Sequence, residues 1–264
     1  MKVIFWLLIG IGLLILGINQ LKAQQRFSTF ELESPQLKSS KTIFLYLPKG
    51  YETSGTSYPV LYMHDAQNLF DKALSFAGAW EVDKILDGLE LPLIVVGIAH
   101  GNEKRLEELT PYPHEKYGGG NADAYLDFVN ETLKPHIDKH FRTKPEKENT
   151  GMMGSSLGGL VSFYAPIQHP EVFGKVGVFS PSFWISDEIY QLMERTPYYP
   201  ANIYMLCGDA ESDHLVGDVQ KMEQLLQPKV QDEQMVVKII PGGKHNENFW
   251  GSQFEEAVKW LFAK

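Results

Sequence analysis

The stretch Thr150-Gly151-Met152-Met153-Gly154-Ser155-Ser156-Leu157-Gly158-Gly159-Leu160 constrains this chain more than any other. A short apolar run ends in Gly154-Ser155-Ser156-Leu157-Gly158, and an apolar pattern of helical spacing follows. This is the G-x-S-x-G pattern in a setting of strand, tight turn and helix. Such a turn strains the backbone at the central Ser156. Small residues on either side let the chain fold back without striking the neighbouring strand. The turn lifts the Ser156 hydroxyl above the sheet edge, and the helix beginning there aims free N–H groups at whatever the serine meets. The arrangement suits a nucleophile. It needs a histidine and a carboxylate downstream, in the order serine, acid, histidine.

The rest of the chain supplies the sheet this turn requires. Residues 59–63, 92–98, 175–179, 202–207 and 235–240 are short, nearly continuous apolar runs, the signature of strands covered on both faces. Helical spacing fills the intervals at 80–89, 122–140, 157–168, 215–227 and 248–262, and Pro135 should kink the second of these or start a new turn in it. Residues 27–33 and 41–47 read as an antiparallel hairpin. The expectation is an α/β fold: a mostly parallel, doubly wound sheet with helices on both faces and an antiparallel N-terminal hairpin. The loop 100–120 is rich in charge, proline and glycine, and loops of that length in compact domains are usually functional.

The N-terminus is a separate segment. Lys2 precedes an apolar run over residues 3–18, and Leu21-Lys22-Ala23 comes before Gln24-Gln25. Residues 1–23 resemble a secretory signal peptide cleaved after Ala23, with residues 24–264 as one domain. The run is shorter than the ~20 residues of a spanning helix, and an uncleaved anchor is the alternative that would make the membrane a partner. The expected location is secreted or periplasmic. Cys207, the single cysteine, can form no intramolecular disulfide and reads as a core residue. A net charge of −9 without a Lys/Arg cluster excludes a nucleic-acid surface.

Ligands of doubly wound sheets sit beyond the carboxyl ends of the strands. Four loops fall there: 64–70, 154–158, 208–214 and 242–248. His245 lies directly after the last strand, behind two glycines that suit a loop bending toward Ser156. His169 ends the helix after the serine and should face away, and His214 lies in the loop expected to carry the acid. That loop offers Asp209, Glu211 and Asp213, and residue types alone do not choose among them. The N–H of Leu157 is one oxyanion donor, and that of Ala66 or Gln67 is the second. Trp184, in the segment that should cap the site, is a candidate for the substrate cleft, with His64 and Asp65. Trp80 and Trp250 should pack the core or brace the His245 loop. Arg105 with Glu107 and Glu108 reads as a surface ion-pair cluster. His136 and His140 share a helix face without a third ligand, so no metal is expected, and no cofactor is implied.

Together Tyr62-Met63-His64-Asp65-Ala66-Gln67-Asn68-Leu69-Phe70-Asp71, Val95-Val96-Gly97-Ile98, the stretch from Arg105 to Pro111, Gly154-Ser155-Ser156-Leu157-Gly158-Gly159 and His245-Asn246-Glu247-Asn248-Phe249-Trp250 resemble the esterase D-like family of α/β-hydrolases. That family includes enterochelin esterase-like enzymes, feruloyl and acetylxylan esterases, and S-formylglutathione hydrolases. The resemblance implies the α/β-hydrolase fold and a serine carboxylic-ester hydrolase working through an acyl-enzyme. It also implies that Glu211, three residues after the strand-end Gly208, is the acid. The implied substrate is a small-molecule or oligosaccharide ester: short-chain acyl, feruloyl or acetyl esters of carbohydrates, or siderophore-type esters. The alternatives are acyl transfer to a sugar or alcohol and a catalytically inactive binding protein.

Overall fold

A computed structural model describes residues 26–73, 75 and 77–263; the expected signal segment lies outside them. Eight strands form one sheet in the order β1-β2-β4-β3-β5-β6-β7-β8. β1 (Phe27–Ser34) and β2 (Ser39–Tyr46) make the expected antiparallel hairpin, and β2 runs antiparallel to β4 (Ile94–Ile98). From β4 onward all pairings are parallel: β3 (Val60–His64), β5 (Thr150–Ser155), β6 (Lys175–Phe179), β7 (Asn202–Gly208) and β8 (Met235–Ile240).

β3, β4 and β5 are buried along their whole length, as strands covered on both faces must be. Alternate residues serve opposite faces. Val60 and Tyr62 join the core beneath α3 (Ala122–Asp127), α4 (Lys134–His140), α5 (Leu157–Gln168) and α7 (Leu215–Leu226), whereas Leu61 and Met63 join the core beneath α1 (Val82–Leu89) and α8 (Glu247–Phe262). Helices therefore cover both faces. Cys207 is fully buried in the first core, and burial pushes its thiol up to about 12.

Two expectations change in detail. The helix over 122–140 is interrupted by a π-helical segment, Phe128–Leu133, just ahead of Pro135 in α4. Pro135 has no N–H and its ring crowds the preceding turn, so the turn ahead of it widens and a new α-helical segment starts with Pro135 in its first turn, one of the two outcomes expected. The loop 100–120 contains a short helix, α2 (Arg105–Leu109), which turns Glu108 into the core against Lys41, both about 4% exposed. The surface cluster expected of Arg105, Glu107 and Glu108 is thus not formed; Glu108 pairs inward, and Arg105 pairs with Asp65 as described below. Another helix, α6 (Glu188–Arg195), stands in the capping segment.

Candidate active site

Ser156 joins β5 to α5 with φ 59° and ψ −122°. These are the angles of the first central residue of a type II′ turn, a position glycine normally takes. For a serine they carry roughly 1–3 kcal/mol of strain, which the surroundings must hold. They do so through a 2.9 Å bond from Ser156 N–H to the Phe179 carbonyl and a 3.1 Å bond from Ser182 N–H to the Ser156 carbonyl. Gly154 permits the reversal: a Cβ there would lie 2.8 Å from the Gly158 backbone and 2.8 Å from the His64 ring. Ser156 Oγ lies 3.2 Å from Ser182 Oγ. Among the described residues no hydrogen bond joins it to His245.

His245 stands in the loop between β8 and α8. Its Nδ1 is 2.6 Å from Glu211 Oε2, with the imidazole 41% exposed and the carboxylate side chain 1% exposed. The other carboxylate oxygen accepts from Gly208 N–H at 2.6 Å and from Ser180 Oγ at 2.7 Å. The rival carboxylates point elsewhere: Asp209 accepts from Gly242 N–H at 2.7 Å, and Asp213 is exposed. The two loops are clipped together by Ala210 N–H donating to the Gly243 carbonyl at 3.1 Å, an approach so close that a side chain at Gly208 would collide with the Gly243 backbone. The indole of Trp250 packs edge-on against the imidazole, ring centres 4.9 Å apart, so Trp250 braces His245 as well as packing near Trp80. His169 contacts Asn130 and Asp127 on the far side of α5, and His214 is 6.4 Å from Trp184.

The turn after β3 is held from several directions. Asp65 adopts the left-handed conformation, φ 54° and ψ 50°, and opens a 3₁₀ turn, Ala66–Asn68. Asn68 N–H is committed to the Asp65 carbonyl, which leaves those of Ala66 and Gln67 as the turn's leading donors. Arg105 grips Asp65 with two bonds, 2.6 and 2.8 Å. Burial would raise the Asp65 carboxyl, but the Arg105 charge and its two hydrogen bonds outweigh it and hold the group below the usual range. The Gln67 side chain donates to the His100 carbonyl and accepts from its N–H. Asn68 donates to the buried Glu247 at 3.1 Å, tying this turn to the His245 loop.

His64 and Asp65 are therefore not cleft walls. Burial holds the His64 pKa at about 4, so it is neutral, and its Nδ1 lies 2.7 Å from the Tyr125 hydroxyl. His64 is 2% exposed because the serine turn packs directly on its ring. The open space lies on the His245 side, a cleft of 390 Å³ bounded by His245, Glu211, Ser182, Trp184, His214 and Leu215. Trp184 is 47% exposed and meets Tyr117 and His114 edge-on, forming an aromatic rim. Ser180 and Ser182 were not singled out by the sequence, although their position directly after a buried strand beside the serine turn is the signal that marks them. Among the described residues no cluster of three potential metal ligands occurs; His136 stacks on Phe30, and His140 bonds its own helix backbone.

Known proteins resemble the chain over this whole framework. The Esterase family model matches residues 34–261. Uncharacterized protein YbbA of Bacillus subtilis is 29% identical over 83% of this chain and 92% of its own length. The endo-1,4-beta-xylanase/feruloyl esterase of Xylanibacter ruminicola is 28% identical over 84% of this chain, which spans 29% of that longer protein. Two solved structures share the fold: an IroE-like serine hydrolase from Shewanella oneidensis (TM-score 0.74, 22% identity, 90% of this chain and 80% of that one) and the enterobactin esterase FES from Shigella flexneri (TM-score 0.76, 19% identity, 90% and 58%). With its α/β-hydrolase sheet and a family match reaching from β1 into α8, the chain belongs to the Esterase family and is a carboxylic ester hydrolase.

Proposed function

We propose that this esterase works through a covalent acyl-enzyme on Ser156, with His245 as general base and acid and Glu211 as the carboxylate that orients it. The observation that carries the reading is the strained Ser156 at the start of α5, in the same chain as a His245–Glu211 pair made at 2.6 Å by a nearly inaccessible carboxylate. With Nδ1–H bonded to Glu211, the lone pair of Nε2 is the one free to take the Ser156 proton. Oγ attacks the ester carbonyl carbon, and the oxyanion is met by the N–H of Leu157 and that of Ala66 or Gln67, each such donor worth roughly 3–4 kcal/mol. His245 then hands its proton to the leaving alcohol, and water repeats the sequence to free the acid.

The proton is delivered from His245, so the cleft beside it receives the alcohol half of the ester. Its aromatic rim, Trp184 with Tyr117 and His114, suits a ring-bearing alcohol. The feruloyl esterase relative and the ferri-bacillibactin esterase BesA of Bacillus subtilis, 24% identical over 60% of this chain, support feruloyl or acetyl esters of carbohydrates, or siderophore-type esters, as substrates. A panel of p-nitrophenyl acyl esters, acetylated and feruloylated sugars and catecholate siderophore esters tests this. Turnover of short acyl chains that Ser156→Ala abolishes is expected; turnover persisting in that variant refutes the assignment. The apolar N-terminal run supports export to the periplasm or medium, and a mature protein beginning at Gln24 in those fractions is the expected product.

A further inference from the structure

The buried hydroxyl of Ser180 sits between two groups of fixed hydrogen-bonding sense. On one side the indole Nε1 of Trp250 is 2.8 Å from Ser180 Oγ; on the other, Glu211 Oε1 is 2.7 Å away. An indole N–H only donates, and an ionised carboxylate only accepts. The Ser180 proton therefore points at Glu211. Gly208 N–H donates to the same oxygen at 2.6 Å, so Oε1 holds two donors and Oε2 is left to His245 Nδ1 at 2.6 Å. Ser180 is itself fixed: it is fully buried, has a left-handed φ of 44°, and donates its N–H to the Leu206 carbonyl at 2.7 Å. Trp250 is 5% exposed and stands in the first turn of α8, just after the loop that carries His245, against whose ring it packs.

We infer that Trp250 and Ser180 form a one-way hydrogen-bond relay that positions the general base, running from the indole through the hydroxyl to Glu211 and so to the imidazole. Resting on the reading of Ser156, His245 and Glu211 given above, it assigns Trp250 and Ser180 as positioning residues. Neither touches the reacting atoms. Their effect is to lock the rotation of the carboxylate, to fill one oxygen, and thereby to keep the proton of His245 on Nδ1. A tryptophan that only filled the core would need any partner for its N–H, and the hydroxyl's further bond to Glu211 would be incidental.

Ser180→Ala and Trp250→Phe separate the two cases. Saturation kinetics with p-nitrophenyl acetate should show kcat falling about 10- to 100-fold in each, the range seen when partners one layer out from a functional group are lost, with KM changed less than about threefold. The low-field proton resonance of the His245 Nδ1–H should shift or broaden in both variants, assigned by its loss in His245→Ala. Unchanged kcat together with an unmoved resonance in folded Ser180→Ala overturns the relay, as does a loss confined to KM. If Trp250→Phe does not fold, Ser180→Ala, which removes a single oxygen, decides alone. Absence of any turnover by the unmodified protein would refute the acyl-enzyme reading instead, and the resonance would still report whether Ser180 sets the bond between His245 and Glu211.

Discussion

Changing Glu211 to glutamine should be more damaging than deleting its side chain. The amide keeps one acceptor oxygen and gains an NH₂. The Oε1 position faces two obligatory donors, Gly208 N–H and the Ser180 hydroxyl, whose sense Trp250 fixes. The amide oxygen must therefore occupy that position, which turns the NH₂ toward His245 Nδ1. The imidazole can meet an N–H donor only with its Nδ1 lone pair, so its proton moves to Nε2, the atom that accepts the proton of Ser156 in the proposed mechanism. The equivalent acid-to-amide change in serine proteases lowers kcat about ten-thousandfold, equivalent to roughly 5 kcal/mol of barrier. Glu211→Ala leaves space for water and both tautomers, so it should cost less than either Glu211→Gln or His245→Ala. Saturation kinetics on p-nitrophenyl acetate, with thermal unfolding as a control, measure all three. A folded Glu211→Gln enzyme keeping more than about a tenth of the original kcat would refute the reasoning. A larger loss in Asp209→Ala or Asp213→Ala would refute the choice of acid.

Ser156→Gly should be more stable than Ser156→Ala by about 1 kcal/mol, because glycine relieves the strain at φ 59° and alanine does not, the gain being reduced by glycine's greater unfolded entropy; equal melting temperatures would mean that the strain is no larger than that entropic cost and would contradict the prediction. Arg105→Met strands a buried Asp65 and should cost about 3 kcal/mol at pH 7, a fall in Tm of roughly 6–12 °C. The folded Asp65 carboxyl lies below its unfolded value near 3.9, so this stabilisation is present above that pH and lost as pH falls through the folded value; the Tm gap between the two proteins should therefore close in acid, and a gap that stays constant would contradict the ion-pair account. Trp184→Ala, at an exposed position, should change stability by less than about 0.5 kcal/mol. It should weaken kcat/KM for a ring-bearing alcohol ester while sparing the methyl ester of the same acid, and equal losses on both would exclude an alcohol-side role.

The fold was legible because its constraints are local. Continuous apolar runs such as 60–63 and 94–98 mark strands covered twice, and their alternation with helical segments points to a parallel sheet with helices on both faces. Ser156 and His245 could be singled out because a glycine-framed turn and strand-end loops leave few alternatives. Choosing Glu211 took a resemblance, since Asp209, Glu211 and Asp213 differ only in which way the loop turns them; the structure buries Glu211 and sends Asp209 to Gly242. The pairs of Arg105 with Asp65, Lys41 with Glu108 and Trp250 with Ser180 join residues 40, 67 and 70 positions apart. No periodicity carries such information. His64 and Asp65 were misplaced for the same reason: the strand end they occupy can face either the cleft or the underside of the serine turn, and only packing against Gly154 and Gly158 decides.

The central claim is that Ser156 is the nucleophile, and a fluorophosphonate tests it directly. Intact-mass measurement after incubation should show one adduct per chain, and peptide mapping should place it on Ser156, with no adduct in Ser156→Ala. An unlabelled protein, or an adduct on Ser155 or Ser182 that survives in Ser156→Ala, would contradict the account.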